Sequence, residues 1–416
     1  MVASMTFMTA VTSSPHPTSP ILYISYQGGG SSDATPGFEP INNLGMIDMW
    51  TAEIINSEVL DLSLISPRAL SFRSMIVIDS RLYVVSARLS ESRLIVSDLL
   101  GEGDALIVWD QKGDDDPWFK HPYGLAYTPA YDPLGPLNAN QTRRHAVDPS
   151  SAPPPGTLFR RLFTTNQNTT SITWYDVDVT SSHVYRHGLL SDSPLLNAVR
   201  GIVYDPATML LFVASKGANR LVFFDASAFL TTDRNNPPQL TPQLWGPRIS
   251  GPTFLYADLP NRRLYVGSDD PVLPAVISFD MDSASQLNVY SIPAPSALDL
   301  AGPSGITIFN STLYVASRTS KSIQTFDVKS TDYLGPFITH LADAPECLYL
   351  LPPSRFDFSS HIPFRETGGF IAAIVSSVLL LLIALIAGIA GCWRFWKIEQ
   401  DRTHFAYQVV DFADED

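Results

Sequence analysis

Five times along this chain, a short apolar strand opening on Leu and an aromatic residue is followed by a polar turn and a second strand ending in Asp. LYVVSARLSESRLIVSDL starts at Leu82, LFTTNQNTTSITWYDV at Leu162, LFVASKGANRLVFFDA at Leu211, LYVGSDDPVLPAVISFDMD at Leu264 and LYVASRTSKSIQTFDV at Leu313. The closing residues are Asp98, Asp176, Asp225, Asp280 and Asp327. A looser copy, LYISYQ followed later by GMIDMW, begins at Leu22, and a further strand (MIVID, GLAYTP, GIVYDP, FLYAD, GITIF) precedes most copies. Successive starts lie 60, 80, 49, 53 and 49 residues apart. A unit of about four short strands recurring every ~40–50 residues cannot cover its own two faces, but a ring of such units covers them and protects most edges. The fold expected is all-β, a β-propeller over residues 21–352.

Six starts predict six blades. PECLYLLP, from Pro345, reads as a first strand with no second strand after it, and LYISYQ as a second strand with no first. Together they complete one blade and close the ring with strands from both ends of the domain. GDALIVWDQ leaves a seventh unit open as the alternative. The long third interval holds YDPLGPLNANQTRRHAVDPSSAPPPG, a Pro-rich insertion expected as a surface loop of the third blade.

The recurring grammar is Gly-Leu or Gly-Ile before an aromatic, then Leu-aromatic-Val-Ala-Ser. It resembles the six-bladed propellers of the NHL, YncE-like and gluconolactonase-like groups over residues 21–351. Lactonases of this class are expected to place Glu, Asn and Asp metal ligands around the channel, often in a Pro-Asn-Gly-Leu context. The matching positions here read Pro122-Tyr123-Gly124-Leu125, Arg200-Gly201-Ile202 and Pro303-Ser304-Gly305-Ile306. Asn is missing each time, which weighs against that metal chemistry, and no cofactor is indicated. Nucleophile elbow, P-loop, HExxH and EF-hand patterns are also missing. Asp114, Asp115 and Asp116 do not continue a calcium-ligand spacing and read as a solvated loop, as do Asp269 and Asp270.

The starts of the innermost strands line a propeller's channel. Aligning the copies puts Arg73, Tyr123, Arg200, Thr253, Ser304 and Glu346 at equivalent places. Two arginines at one mouth suit a carboxylate or another anion, with Tyr123 as a packing wall. The competing reading is that Glu346 pairs with an arginine and plugs the channel, because buried charges usually pair.

Residues 368–391, GGFIAAIVSSVLLLLIALIAGIAG, carry no charge. At about 1.5 Å per residue they are long enough to cross the ~30 Å hydrocarbon layer. Arg365 and Glu366 precede them; Trp393, Arg394, Phe395, Trp396 and Lys397 follow as an aromatic and basic belt. The organisation expected is therefore an N-terminal segment 1–20, the propeller 21–352, a linker 353–367, one transmembrane helix 368–393 and a short acidic tail 394–416. The excess of Arg and Lys after the span puts the tail in the cytosol and the propeller outside, at the plasma membrane or in endosomes. MVASMTFMTAVTSSPHPTSP is a poor signal peptide, so a tail-anchored cytosolic scaffold stands as the alternative.

Sequons at Asn140, Asn168 and Asn310 mark candidate glycosylation sites, and Cys392 at the membrane edge a candidate for palmitoylation. Tyr407 and Val410 fit a Tyr-x-x-apolar sorting signal resembling those read by clathrin adaptors. A net charge of −14 argues against nucleic acid as a partner. With two cysteines, Cys347 and Cys392, neither a disulfide within the propeller nor a CxxC metal site is available. The function expected is recognition of a protein or small ligand by a membrane-displayed propeller, with a channel hydrolase or lactonase as the competing class.

Overall fold

The computed structural model describes residues 19–351 apart from 29–40, 66–70, 88–90, 100–103, 112–113, 115, 131–156, 228–238 and 294–295. Asn140, most of the Pro-rich insertion, the linker 353–367, the span 368–393 with Cys392, and the tail with Tyr407 and Val410 lie outside the described residues. Among the described residues no helix is long and apolar enough to cross a membrane.

Six four-stranded antiparallel sheets follow one another. Blade 2 comprises Phe72–Ile78, Arg81–Ser86, Arg93–Asp98 and Leu106–Asp110; blade 3 comprises Pro122–Tyr127, Phe159–Asn166, Ser171–Asp178 and Val184–Asp192. Blade 4 comprises Val199–Asp205, Leu210–Ser215, Arg220–Asp225 and Gln243–Trp245; blade 5 comprises Pro252–Asp258, Arg263–Ser268, Ala275–Asp280 and Gln286–Tyr290. Blade 6 comprises Pro303–Phe309, Thr312–Ser317, Ser322–Asp327 and Tyr333–Ile338. Blade 1 takes its innermost strand, Pro345–Leu351, from the far end of the domain and pairs it with Ile21–Tyr26, followed by Leu44–Asp48 and Ile54–Asn56. The innermost strand of each blade touches the next, and that of blade 1 touches those of blades 6 and 2, so the ring closes at six. GDALIVWDQ supplies the outer strand of blade 2 and starts no seventh unit.

The Leu-aromatic repeat follows from strand geometry. Successive side chains point to opposite faces of a sheet, and in a ring both faces of each blade are buried. In blade 4, Leu211 and Val213 pack toward blade 3 with Phe163 and Trp174. Their neighbours Phe212 and Ala214 pack toward blade 5 with Leu264, Val266 and Phe279. The Leu position thus faces the preceding blade and the aromatic position the following one: Leu162 lies in the core between blades 2 and 3, Phe163 in that between blades 3 and 4.

In blades 4, 5 and 6 the Asp closing the third strand shapes the next turn. Asp225 Oδ1 accepts from Ser227 N at 2.9 Å, Asp280 Oδ1 from Ser283 N at 2.7 Å and Asp327 Oδ1 from Ser330 N at 2.6 Å. Blade 3 departs from this rule: Asp178 accepts from Thr180 N at 2.7 Å and takes the turn role. Asp176, two residues earlier, is fully buried in an ion pair with Arg161 at 2.7 Å. Asp116 is also not the solvated residue its acidic run suggests. It is 5 % exposed, accepts from Trp109 Nε1 at 3.1 Å and anchors Trp118 N at 2.8 Å.

Candidate functional site

One local irregularity builds the site. In blades 2 to 6 the innermost strand slips in register between its first and fourth residues: Phe72/Met75, Pro122/Leu125, Val199/Ile202, Pro252/Leu255 and Pro303/Ile306. Blade 1 slips at the same level, where Cys347 pairs with Ser25 but Pro345 with Tyr26, and Glu346 is the residue passed over. Such a bulge bends the strand and re-aims the extra side chain. The residues it carries are Arg73, Tyr123, Arg200, Thr253, Ser304 and Glu346.

Glycine follows three of them because neighbouring innermost strands close in there. A Cβ on Gly124 would sit 2.5 Å from Arg200 O and one on Gly201 2.6 Å from Leu255 N; on Gly305 it would run into Leu348 N. Hydroxyls then tie blade to blade: Ser25 Oγ donates to Arg73 O at 2.8 Å, Thr165 Oγ1 to Arg200 O at 2.5 Å, Thr253 Oγ1 to Pro303 O at 2.6 Å and Ser304 Oγ to Pro345 O at 2.8 Å. Thr253 and Ser304 therefore hold backbone and do not present their hydroxyls to the channel.

The other four residues meet. Arg73 Nη1 donates to Glu346 Oε1 at 2.5 Å, and Tyr123 Oη to Glu346 Oε2 at 2.6 Å. Arg200 Nη1 donates to Tyr123 Oη at 3.2 Å, and its guanidinium lies 4.7 Å from the Tyr123 ring centroid. Glu346 thus pairs with an arginine, as the plug reading requires, while Arg200 has no carboxylate partner among the described residues.

Three residues beyond the aligned six complete the mouth. Arg318 Nη1 approaches Glu346 Oε1 to 3.6 Å, and its Nη2 approaches Asp269 Oδ2 to 3.7 Å. Lys216 Nζ contacts the same Asp269 oxygen at 2.5 Å. Lys216, Asp269 and Arg318 each stand immediately after a second strand, in blades 4, 5 and 6. Asp269 is therefore a member of the mouth, not a solvated loop residue. The signal was present: these residues follow the Ser of LFVAS, LYVGS and LYVAS, and the same alignment that found the inner ring contains this second ring.

Four cations (Arg73, Arg200, Lys216, Arg318) thus surround two carboxylates (Glu346, Asp269), an excess of two positive charges among the described residues. Burial alone would push the Glu346 carboxyl up, but Arg73, Arg318 and Arg200, with the Tyr123 hydroxyl, hold it below its ordinary value. Burial pushes Tyr123 up. Beside the cluster, burial and then repulsion from Arg73 take the His121 imidazole down to about 4, so it is neutral near pH 7. Lys216 is lowered by burial and by repulsion from Arg200. Buried Nε of Arg73, Nε of Arg200 and Nδ1 of His121 have no hydrogen-bond partner among the described residues. Among the described residues no group of three His, Cys, Asp or Glu side chains is placed to hold a metal ion.

No protein-family model and no curated protein matches this chain. Solved structures do resemble it. A structure of the nidogen/laminin complex aligns over 80% of this chain and 98% of the matched chain at 13% identity and TM-score 0.49. A putative 6-phosphogluconolactonase from Bacteroides uniformis aligns over 74% and 79% at 15% identity and TM-score 0.46. A functionally unknown protein from Desulfotomaculum acetoxidans aligns over 80% and 100% at 13% identity and TM-score 0.45. At these identities and scores none of them says what this chain binds.

Proposed function

We propose that this chain is a recognition module that takes a small oxyanion, of carboxylate or phosphate chemistry, at the mouth where the innermost strands begin. One observation carries the reading: among the described residues four cations face two carboxylates, and the buried Nε–H donors of Arg73 and Arg200 have no acceptor. Buried donors without partners are costly, and an oxyanion supplies both the missing acceptors and the missing negative charge. Arg73 and Glu346 form the floor; Arg200, which meets no carboxylate among the described residues, and Arg318, which reaches Glu346 only at 3.6 Å and Asp269 at 3.7 Å, are the gripping residues.

The test is titration of purified full-length chain with succinate and with inorganic phosphate, read by calorimetry. Arg200→Ala and Arg318→Ala are each expected to weaken binding roughly tenfold or more, because a charge-assisted hydrogen bond is worth about 1.5–3 kcal/mol. Lys329→Ala, in an exposed turn between the third and fourth strands of blade 6, leaves it unchanged. Absence of binding by either probe, or full affinity in both arginine variants, overturns the reading.

We also infer membrane display of this propeller through residues 368–393, with the tail sorted through Tyr407 and Val410 by a clathrin adaptor and Cys392 open to palmitoylation. The uncharged run and its aromatic and basic flank support it. Asn168 and Asn310 are exposed, which supports their use as glycosylation sites outside the cytosol. With an epitope tag after Asp416 on intact cells, external protease should remove the propeller and spare a small tagged fragment. Survival of the whole chain until the membrane is opened would assign the propeller to the cytosol.

A further inference from the structure

Below the charged mouth the channel changes character. A cavity of about 460 Å³ follows it, lined by residues from all six innermost strands. Its wall starts directly beneath the plug, at Ser74, Gly124, Gly201, Phe254 and Cys347, and runs to residues near the strand ends such as Tyr204 and Leu350. Among the described residues, none that lines it is charged. The lining residues that carry a polar side-chain group are Ser74, Thr307, Cys347, Tyr127, Tyr204, Tyr256 and Tyr349. Burial pushes the Cys347 thiol up to about 12, so it stays protonated.

Ile76, Val203, Ala257, Leu259 and Leu350 all line this cavity and are only half-buried. They present apolar surface to open space inside a concave wall, not on the outside of the ring where a scattered apolar side chain is ordinary. A space of this size corresponds to roughly 15 waters at ~30 Å³ each. Water there faces mostly hydrocarbon and aromatic rings. Volume, apolar lining and a few hydroxyls are the attributes of a small-molecule pocket.

We propose that this cavity binds a neutral, predominantly apolar small molecule, with any single hydrogen-bonding group of the ligand meeting the tyrosine hydroxyls. The site is distinct from the mouth: Glu346 closes the charged side, and the next residue, Cys347, already belongs to the apolar wall. A charged ligand is disfavoured, because the wall has no counter-ion to offset its desolvation.

The test is photolabelling of the purified full-length chain in nanodiscs with adamantyl diazirine, a neutral probe, with labelled peptides read by mass spectrometry. Saturable labelling is expected within residues 125–127, 254–257 and 348–350, suppressed at least fivefold by excess 1-adamantanol. Ala257→Phe, which fills the space, should suppress it to the same degree, while Arg200→Ala leaves it unchanged and so separates this site from the anion reading. Labelling of these segments that does not saturate, or that is missing while residues elsewhere are labelled, overturns the proposal. If Ala257→Phe fails to fold, competition on the wild-type chain decides alone.

Discussion

Glu346 has no exposed side-chain surface and receives hydrogen bonds from Arg73 and Tyr123, with Arg318 close by. Removing one partner of a buried pair costs about 3–5 kcal/mol because the other charge is left unpaired. Glu346→Ala should therefore lower the stability of the propeller by that order, measured by urea denaturation. Its folded-state value is depressed below the ordinary 4.5. The contribution is thus fully present above about pH 4.5 and is lost as pH falls through the lower folded value. His121 acts over a higher window. Its depression from 6.5 to about 4 means that stability is full above 6.5 and declines between 6.5 and 4, where the unfolded chain binds the extra proton. In His121→Gln that decline should flatten, while the loss below pH 4.5 remains. Arg73, Tyr123, Arg200 and Glu346 were legible in the sequence because the repeats align them. The repeats also align Lys216, Asp269 and Arg318, each after the Ser of a second strand, but their part in the mouth was not legible, because a turn residue takes its meaning from the neighbouring blade it reaches, and no local pattern encodes that reach.

The innermost strands show where a pattern ends and register begins. Their apolar alternation, and the switch of Leu and aromatic between preceding and following blades, can be read from period two alone. The bulges that turn Arg73, Arg200 and Glu346 toward the channel cannot, since a bulge is a relation between two strands and leaves each strand's own sequence ordinary. Gly305 belongs to the same level. A methyl group there meets Leu348 N, so Gly305→Ala must push the innermost strands of blades 6 and 1 apart. A destabilisation of about 1–3 kcal/mol is expected, as for other overpacked sites, with a lowered urea midpoint and little change in the slope of the transition. A variant as stable as wild type would mean that the two strands have room to spare. Asp176 shows the opposite limit: its place in the repeat predicted a strand end, but the strand runs on to Asp178 and Asp176 forms a buried ion pair with Arg161 on the adjacent strand.

At the scale of the whole molecule, one channel presents two chemistries, a cationic mouth and an apolar chamber, separated by a single layer of side chains. The six-fold architecture was legible because six copies recur, and the closing blade because one copy lacked a first strand and another fragment lacked a second. Ring closure rests on the pairing of Ile21–Tyr26 with Pro345–Leu351, whose register runs from Ile21 opposite Leu351 to Tyr26 opposite Pro345. All six residues of the first of these strands are buried. Deleting residues 1–26 should therefore expose the faces of blades 6 and 2 and replace one cooperative unfolding transition by a broad one; a sharp melt at the wild-type temperature would contradict this. The same pairing sets a clock on biosynthesis. The strand that leaves the ribosome early must wait for residues 27–344 and then for its partner. At ~5–20 residues per second that wait is roughly 15 to 65 s. For that interval Leu22 and Ile24 have nothing from residues 345–351 to cover them, so an apolar strand edge stays open for as long as translation takes to reach its partner.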